Sequence, residues 1–485
     1  MAKSTSLQLS VICALALLSG CSMAPKYERP LPPVAADWPV IAGTTASRGA
    51  NPASALAAAD LEWQSFFSDA SLKQLIGSAL QNNRDLRVAV LNIEQARAQF
   101  QIRRADQLPT LNVQANALRQ PSLSANANGG RGISSTYTAG LGITAYELDF
   151  FGRVASLRDA ALAQYLATEE GRKTTQISLI AAVANSYLSL LADEELIGIT
   201  AQTLATRQDS LRLGKLRFDA GVTSELDYRL AESLLEAANA TQSQLLRQRA
   251  LNLNTLTLLV GQPLTGELLT GKSLGDASVM ADVPEGLPSD LLVRRPDVRQ
   301  AEQLLLGANA NIGAARAAFF PRISLTAGAG SASSSLSGLF KSGSFGWTLA
   351  SGLVLPIFDY GRNSAGLANA NASQGMAIAQ YEKSIQTAFK EVADALAGRA
   401  TLSEQLRATQ AQANAEGVRF RLSDLRYQNG IASQLDLLDA QRSLFTARQA
   451  VVQTRLAQLQ SQVTLYKVLG GGWKDEAVAA VSIPK

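Results

Sequence analysis

The chain has 485 residues, of which 47% are hydrophobic, 17% are charged and only 6% are aromatic. Its 44 Lys and Arg residues are interspersed with 40 Asp and Glu residues, so the formal net charge of +4 does not form the basic patch of a nucleic-acid-binding protein. Histidine is absent and there are two cysteines, which excludes histidine-ligated metal sites, Ser-His-Asp triads and Cys-His pairs. We therefore expect neither an enzyme nor a bound cofactor.

The first 20 residues predict a cleaved lipoprotein signal peptide. Lys3 precedes an apolar run from Leu7 to Leu18, which is too short to span a bilayer comfortably. A Leu-Ser-Gly-Cys sequence ends at Cys21, and a lipoprotein signal peptidase cuts at this pattern once the thiol is diacylated. We therefore expect Cys21 to be lipidated and Cys13 to be lost, which leaves no internal disulfide. The alternative is an ordinary signal peptide with a chance cysteine.

Two long segments without proline predict long helices. No proline lies between Pro121 and Pro263, and none lies between Pro356 and Pro484. A helix from about Val154 to Arg217 would extend about 95 Å, a length that is typical of coiled coils. Apolar and small residues recur at spacings of three and four within it, as at Leu179, Ala182, Val183, Ser186, Tyr187 and Leu190.

The chain carries an internal two-fold repeat. The segment NRDLRVAVL from Asn83 matches RPDVRQAEQ from Arg295 at an offset of 212 residues. After the middle of each half the offset becomes 209, because FFGR ends at Arg153 and DYGR ends at Arg362. Unequal loops between equivalent elements explain this change. The first repeat is assigned to residues 63–270 and the second to residues 291–470.

Within each half, the hydrophobic period changes from helical to alternating, which predicts two β-hairpins with strands of roughly ten residues. They are expected at about 110–147 and at about 322–358. In the first hairpin, Leu111 and Val113 begin an apolar face. The opposite face carries small, uncharged polar side chains, namely Asn112, Gln114, Asn116, Thr138 and Thr144.

Strands of this length are long enough to cross an outer membrane as part of a tilted β-barrel. Leu111 and Val113 would then face lipid, and the polar face would line a water-filled lumen. A soluble hairpin would show the same alternation. In lipid, however, open strand edges do not persist, and four strands cannot close a barrel because the smallest have about eight. The chain is then expected to pool its strands with other copies of itself.

A glycine-broken element occurs in both halves within helix-forming sequence. FDAGVTSELDYRLAE begins at Phe218, and YQNGIASQLDLLDAQ begins at Tyr427. Glycine has no β-carbon and readily adopts the left-handed conformation that ends a helix. Gly221 and Gly430 are therefore each expected to separate two antiparallel helices. The alternative is a glycine tolerated within one continuous helix.

Five further segments are distinctive, in chain order YELDFFGR from Tyr146, LPSDLLVRRPDV from Leu287, ANIGAARAAFFPRISLTAG from Ala310, LDLLDAQRSLFTARQ from Leu435 and LYKVLGGGW from Leu465. Together they resemble the TolC-type outer-membrane efflux channels, and within them the OprM-like lipoproteins. The resemblance extends from Leu18 to Trp473. It implies an α+β membrane protein in which three protomers each give four strands to one twelve-stranded outer-membrane barrel. Pairs of long helices continue the barrel as a periplasmic coiled-coil tunnel.

The resemblance also implies roles for the remaining segments and for the partners. Residues 21–62 resemble a lipid-anchored, proline-bearing arm, and residues 271–290 and 471–485 resemble parts of an equatorial belt around the tunnel. A homotrimer would dock on a periplasmic adaptor and on a proton-driven inner-membrane transporter of the RND type. It would then passively conduct drugs or other toxic compounds across the outer membrane.

The resemblance implies a gate just after Gly430. Asp436 and Asp439 lie three residues apart and share a helix face, so a trimer turns each into a ring of carboxylates, with Leu435 as an apolar ring beside them. Such rings need compensation from cations, water, hydrogen bonds or raised pKa values. The alternative is that both acids are solvated charges on a helix surface.

Three further residues are implied as support for the gate. Asp227 matches an acid that, in some members, bonds a tyrosine at the position of Tyr427 and holds adjacent coils closed. Ala432 departs from the family pattern, because TolC itself has an arginine there. That tether is therefore absent, and Arg442 is the candidate substitute.

Two alternative functions stay open at this point. A TolC-type channel for type I protein secretion or for metal efflux would have the same architecture and would differ in the pump that it meets. A lipid-anchored structural coiled-coil protein that never inserts would belong to a different class. The alternating hairpins and the paired repeat argue against the second alternative.

Overall fold

The computed structural model describes residues 22–35, 38–39, 61–125, 131–264, 273–275 and 294–473. The chain divides into two compact units. The first comprises Met1–Leu31, Asn92–Glu169 and Gln300–Glu382, and the second comprises Pro32–Leu91, Glu170–Arg299 and Lys383–Lys485. The predicted signal peptide, Cys21 and most of the predicted equatorial segments at 271–290 and 471–485 lie outside the described residues.

The helices repeat in the two halves of the chain. The first half contains α1 (Trp63–Phe66), α2 (Ala70–Asn82), α3 (Arg84–Ala105), α4 (Arg153–Asp219) and α5 (Glu225–Val260). The second half contains α6 (Pro296–Ala317), α7 (Arg362–Gln428) and α8 (Gln434–Val468). The helices α3 and α6 both have 22 residues, and α4 and α7 both have 67. They begin at the offsets of 212 and 209 found in the sequence, so the repeat is structural.

The helix predicted from about Val154 to Arg217 is present as α4, which is about 100 Å long. An 18-residue window within this helix is apolar enough to cross a membrane, but 67% of that window is buried inside the protein. Its apolar residues therefore form core. Tyr187 illustrates this, because its ring is fully buried and its hydroxyl donates a 2.7 Å hydrogen bond to Oδ2 of Asp69.

Four strands form one antiparallel sheet in chain order. They are β1 (Leu111–Ala125), β2 (Arg131–Leu148), β3 (Arg322–Ser333) and β4 (Phe345–Val354). The strands β3 and β4 have 12 and 10 residues, close to the predicted length, but β1 and β2 have 15 and 18. The strands of the first hairpin are longer than predicted because their pairing continues beyond the alternating residues, to Pro121 opposite Ile133 and, after a shift in register, to Ala125 opposite Arg131. A backbone ladder needs no apolar side chain to continue.

The sheet has the predicted register, with one apolar and one polar face. Val113 pairs with Leu141, and Gln114 pairs with Gly140. Val113 is 83% exposed, so the described chain does not cover the apolar face. On the polar face the strands approach closely, because a β-carbon on Gly140 would lie 2.5 Å from the carbonyl oxygen of Ala329.

The YELDFFGR segment forms the junction between β2 and α4. Oδ2 of Asp149 accepts a 2.7 Å hydrogen bond from the backbone N–H of Ala155, which satisfies a free amide in the first turn of the helix. The carboxylate of Glu147 accepts hydrogen bonds from Arg153 at 2.7 Å and from Arg322 of β3 at 2.8 Å. These contacts join the start of α4 to two neighbouring strands.

The core of the second unit forms where α1, α2, α4 and α8 pack together. The rings of Phe66 and Tyr466 stack with their centroids 4.0 Å apart, and Phe67 packs edge-on against Phe66. The hydroxyl of Tyr466 donates a 2.6 Å hydrogen bond to the carbonyl oxygen of Leu61. Both repeats therefore contribute to one core, which fixes the long helices of this unit at one end.

Candidate functional site

Two glycines turn the chain between consecutive long helices in the second unit. Gly221 lies between α4 and α5 with a φ of +72°, and Gly430 lies between α7 and α8 with a φ of +71°. At the first turn, the N–H of Val222 donates to the carbonyl of Arg217 at 2.9 Å, and the N–H of Gly221 donates to that of Phe218 at 2.9 Å. This is the Schellman pattern that satisfies the last free carbonyls of a helix.

The second hairpin has the same pattern. The N–H of Ile431 donates to the carbonyl of Arg426 at 2.8 Å, and the N–H of Gly430 donates to that of Tyr427 at 3.0 Å. Each turn therefore places a glycine at the position where a side chain would be strained. The alternative of a glycine inside one continuous helix is wrong at both positions.

The acids of the repeated element accept hydrogen bonds from the serines that cap the helices after the turns. Ser224 is the N-cap of α5, and its hydroxyl donates a 2.8 Å hydrogen bond to Oδ2 of Asp227. Ser433 is the N-cap of α8, and its backbone N–H and hydroxyl donate to Oδ2 of Asp436 at 3.1 and 2.8 Å. These bonds to the charged form lower the pKa of both carboxyl groups. Asp436 is thus a capping-box residue on an exposed helix start.

Asp439 is held by two arginines. Its Oδ2 accepts a 2.5 Å hydrogen bond from Nη2 of Arg419 on α7, and its Oδ1 accepts one of 2.6 Å from Nη2 of Arg442, one turn further along α8. The bond from Arg419 lowers the pKa of this carboxyl. Within one protomer, hydrogen bonds therefore compensate the charge of Asp436 and two arginines compensate that of Asp439. The pKa of neither carboxyl group is raised.

Arg419 was not anticipated from the sequence, although a usable signal existed. Positions at similar distances on either side of Gly430 face each other across the hairpin, and Arg419 and Asp439 lie 11 and nine residues from it. Glu416 accepts a second bond from Arg419 at 3.1 Å, so this arginine links two acids.

The structure does not bring Asp227 and Tyr427 together within one protomer. The carboxylate of Asp227 accepts bonds from its own hairpin, from the hydroxyls of Ser224 and Thr223. The hydroxyl of Tyr427 instead accepts a 2.5 Å hydrogen bond from Nη1 of Arg217, whose guanidinium lies 4.7 Å from the ring centroid. Arg217 thus joins the first hairpin to the second, a contact that the sequence did not indicate.

Apolar side chains are exposed at both turns. Leu435 is 57% exposed, and its equivalent in the first repeat, Leu226, is 78% exposed. Val222 and Ile431, which follow the two glycines, are also exposed. Leu435 therefore points away from the core of its own protomer, as a residue in an apolar ring between copies would.

In the first unit, a groove of about 420 Å³ follows the polar face of the sheet. Within the described chain, the residues that line it are all uncharged. Four of the five polar residues predicted for the lumen contribute to it, namely Gln114, Asn116, Thr138 and Thr144, and the second hairpin adds Thr326 and Thr348. Nε2 of Gln114 donates a 3.1 Å hydrogen bond to the hydroxyl of Thr144. Such a surface suits a hydrated passage.

The sequence matches the outer membrane efflux protein family over residues 75–262 and 287–471. The matched segments lie in the two halves of the repeat. The chain is 46% identical over 484 residues to the toluene efflux pump outer membrane protein TtgC of Pseudomonas putida, and the match covers 98% of this chain and 99% of that protein. It is 44% identical over 469 residues to the outer membrane protein OprJ of Pseudomonas aeruginosa, with 96% of each chain covered.

Solved structures show the same fold. A membrane protein from Pseudomonas aeruginosa superposes with a TM-score of 0.85 at 43% identity, covering 93% of this chain and 100% of that one. The open state of the MtrE outer membrane channel of Neisseria gonorrhoeae gives a TM-score of 0.82 at 40% identity, covering 94% of this chain and 99% of that one.

These likenesses extend over nearly the whole chain and include both the four-stranded sheet and the long helices. The architecture is therefore that of the trimeric outer-membrane channels, with four strands from each protomer and helices that extend into the periplasm. A structural protein that never inserts into the membrane is excluded. The chain belongs to the outer membrane efflux protein family, and it is the outer-membrane channel of an efflux pump.

Proposed function

We propose that this channel is the passive exit of a tripartite pump that expels drugs, organic solvents or related toxic compounds. Its partners are a periplasmic adaptor and a proton-driven inner-membrane transporter of the RND type. The observation that carries this proposal is the 46% identity, over 98% of the chain, to an outer membrane protein of a toluene efflux pump. A second relative of equal identity is named as part of an antibiotic efflux pump. The proposal includes no catalytic step.

Deletion of the gene in its host tests this function. The deletion strain is expected to become more sensitive to antibiotics and to toluene, and a plasmid copy should restore resistance. A protonophore should remove the restored resistance if the transporter is proton-driven. Unchanged drug sensitivity together with loss of protein secretion or of metal tolerance would assign the channel to one of the alternative pumps instead.

We further propose that the second helix hairpin carries the periplasmic gate. Asp436 and Asp439 lie within the first two turns of α8, next to the exposed Leu435, and Asp439 is already paired with two arginines. Opening would exchange these closed-state contacts for contacts with a docked adaptor. Arg442 contributes to the gate because it donates a hydrogen bond to Asp439, and Tyr427 contributes because it accepts one from Arg217.

We also propose that Cys21 carries a lipid anchor. The described part of the arm supports this placement, because its backbone lies along α6 near the start of β3. The carbonyl of Pro25 accepts a 2.8 Å hydrogen bond from Asn309, and that of Met23 accepts one of 3.3 Å from Arg316. Met23, two residues after Cys21, therefore lies near the C-terminal end of α6, which leads into β3.

Labelling with a radioactive fatty acid tests the anchor. Cys21→Ser is expected to abolish incorporation of the label, whereas fusing the mature chain to an ordinary signal peptide should still give inserted trimers, because the barrel has its own apolar belt. Continued labelling of the Cys21→Ser protein would refute the assignment.

A further inference from the structure

A cavity of about 160 Å³ lies where α4, α7 and α8 meet in the second unit. Two arginines, two glutamines and two phenylalanines line most of it, namely Arg207, Arg448, Gln202, Gln441, Phe420 and Phe445. Its lining includes no acidic residue of the described chain. Arg207 is 14 positions before Gly221, so the cavity is about 20 Å along α4 from the turn.

Arg207 is a buried cation without a carboxylate partner in the described part of the chain. The residue is only 3% exposed, and its Nη1 donates a 2.5 Å hydrogen bond to the carbonyl oxygen of Leu234 on α5. Its guanidinium carbon lies 5.1 Å from the ring centroid of Phe445. The Nε–H group is buried and has no hydrogen-bond partner among the described residues. Desolvation lowers the pKa of this guanidinium, which shows how poorly the surroundings compensate its charge.

A second positive charge in the cavity adds to the uncompensated charge of Arg207. Arg448, whose side chain is exposed, contributes a second guanidinium and forms no ion pair with the residues that the structure describes. Burying an unpaired charge is costly unless another group compensates it. The position equivalent to Arg207 in the second repeat is Glu416, which pairs with Arg419, so the repeated fold itself does not require a buried arginine here.

We propose that this cavity binds a small monovalent inorganic anion of the chloride type. The anion accepts hydrogen bonds from the guanidinium groups of Arg207 and Arg448, which both line the cavity. The volume accommodates such an ion with a few waters, since each water occupies about 30 Å³ in the liquid. Gln441 also lines the cavity, and its Oε1 is buried and has no hydrogen-bond donor within the described chain. The bound anion would link α4 to α8 inside one protomer.

The thermal stability of the purified trimer in detergent tests the site. Sodium chloride or sodium bromide is compared with sodium gluconate at equal ionic strength, because gluconate carries the same charge but is a bulky organic anion and not an inorganic ion of the chloride type. The unfolding midpoint of the wild type is expected to be higher in the halides by about 2 °C, since a ligand that binds the folded state stabilises it. Arg207→Gln should abolish this difference.

Two further variants keep the test decisive. Arg448→Gln changes an exposed side chain, so it should fold even where Arg207→Gln does not, and it should reduce the halide effect at least by half. Arg229→Gln is the matched control, because Arg229 is an exposed arginine that pairs with Glu225 and Glu232, and it should retain the full effect. An equal halide effect in all variants, or none in the wild type, would overturn the proposal.

Crystals grown in sodium bromide give the direct observation. An anomalous bromine peak within hydrogen-bond distance of the guanidinium of Arg207 is expected in the wild type and should be absent in Arg448→Gln or Arg207→Gln crystals. Water alone in the wild-type cavity, or a carboxylate from a neighbouring protomer against Arg448, would refute the anion site.

Discussion

The two helix hairpins of the second unit share one backbone design but differ in charge. Gly221 and Gly430 make the same left-handed turn, and serine N-caps with an acid three residues later follow both. The charged cluster of Arg419, Asp439 and Arg442 belongs to the second hairpin. Its equivalents in the first are Ser210, Leu230 and Ser233.

This difference distinguishes the residues that stabilise the turns from those that are candidates for the gate. The repeated residues are those that satisfy free backbone groups at helix ends, a requirement that both hairpins must meet. The charges are not repeated because the backbone does not need them. A cluster that one hairpin has and the other lacks is therefore the better candidate for a switch. Asp436 shows the opposite case, because its equivalent Asp227 also bonds the hydroxyl of its N-cap serine.

The largest effect on trimer yield and drug resistance is expected from replacing the turn glycines that both hairpins share. Gly221→Val and Gly430→Val place a β-branched residue at a φ near +70°, at a cost of about 1–3 kcal/mol per site. Both variants should yield fewer trimers and restore less drug resistance. Gly375→Ala, at a helical glycine with open space around it, is the control and should behave as the wild type. Normal trimer yield from both valine variants would contradict the role of the turns.

A large effect on conductance is expected from removing the two acids proposed for the gate, above all Asp439, which has no acidic equivalent in the first hairpin. Single-channel recordings in planar bilayers would compare Asp436→Ala, Asp439→Ala and the double variant with the wild type, with and without divalent cations. Because Asp439 pairs across α7 and α8, Asp439→Ala should raise conductance several-fold and weaken block by cations.

The first hairpin provides the controls for this measurement. Leu230→Ala alters the equivalent of Asp439, and Ser233→Ala alters the equivalent of Arg442, so both should leave conductance near the wild-type level. Wild-type conductance and unaltered cation block in the double variant would remove both acids from the gate.

An intermediate effect on gating is expected from removing the contact between Arg217 and Tyr427, which joins the two hairpins. Arg217→Gln removes both the hydrogen bond and the ring contact to Tyr427, whereas Tyr427→Phe removes the hydrogen bond alone. Open events should therefore be more frequent in Arg217→Gln than in Tyr427→Phe. Arg212→Gln, at an exposed arginine paired with Asp209 on the same helix, is the control. Identical gating in all three variants would show that this contact does not hold the hairpins together.

The smallest effect on conductance is expected from a change in pH. The folded-state pKa of Asp439 is below its unfolded value, so the contact with Arg419 stabilises the hairpin above the unfolded pKa and is lost as pH falls through the folded one. Conductance should stay constant from neutral pH to about pH 4 and rise below it. Asp439→Asn should flatten this rise. A rise that begins near neutral pH would indicate that another group titrates.

Much of the fold followed from local pattern. Helix α4 was predicted from Val154 to Arg217 and extends from Arg153 to Asp219, because a long proline-free segment with helical periodicity allows few alternatives. The register of the first hairpin followed from its alternation, since a shift by one residue would expose the wrong face. The extra length of β1 and β2 did not follow, because backbone pairing there continues without a side-chain signal.

The sequence by itself determined the repeat, the two glycine turns, the polar and apolar faces of the sheet, and the family. These features depend on residues close to one another in the chain or on spacing within one element. Only the tertiary structure decided that Arg217 contacts Tyr427, that Arg419 holds Asp439 and that Arg207 is buried. Such contacts depend on how helices far apart in sequence pack and rotate against each other, which side-chain periodicity alone does not specify.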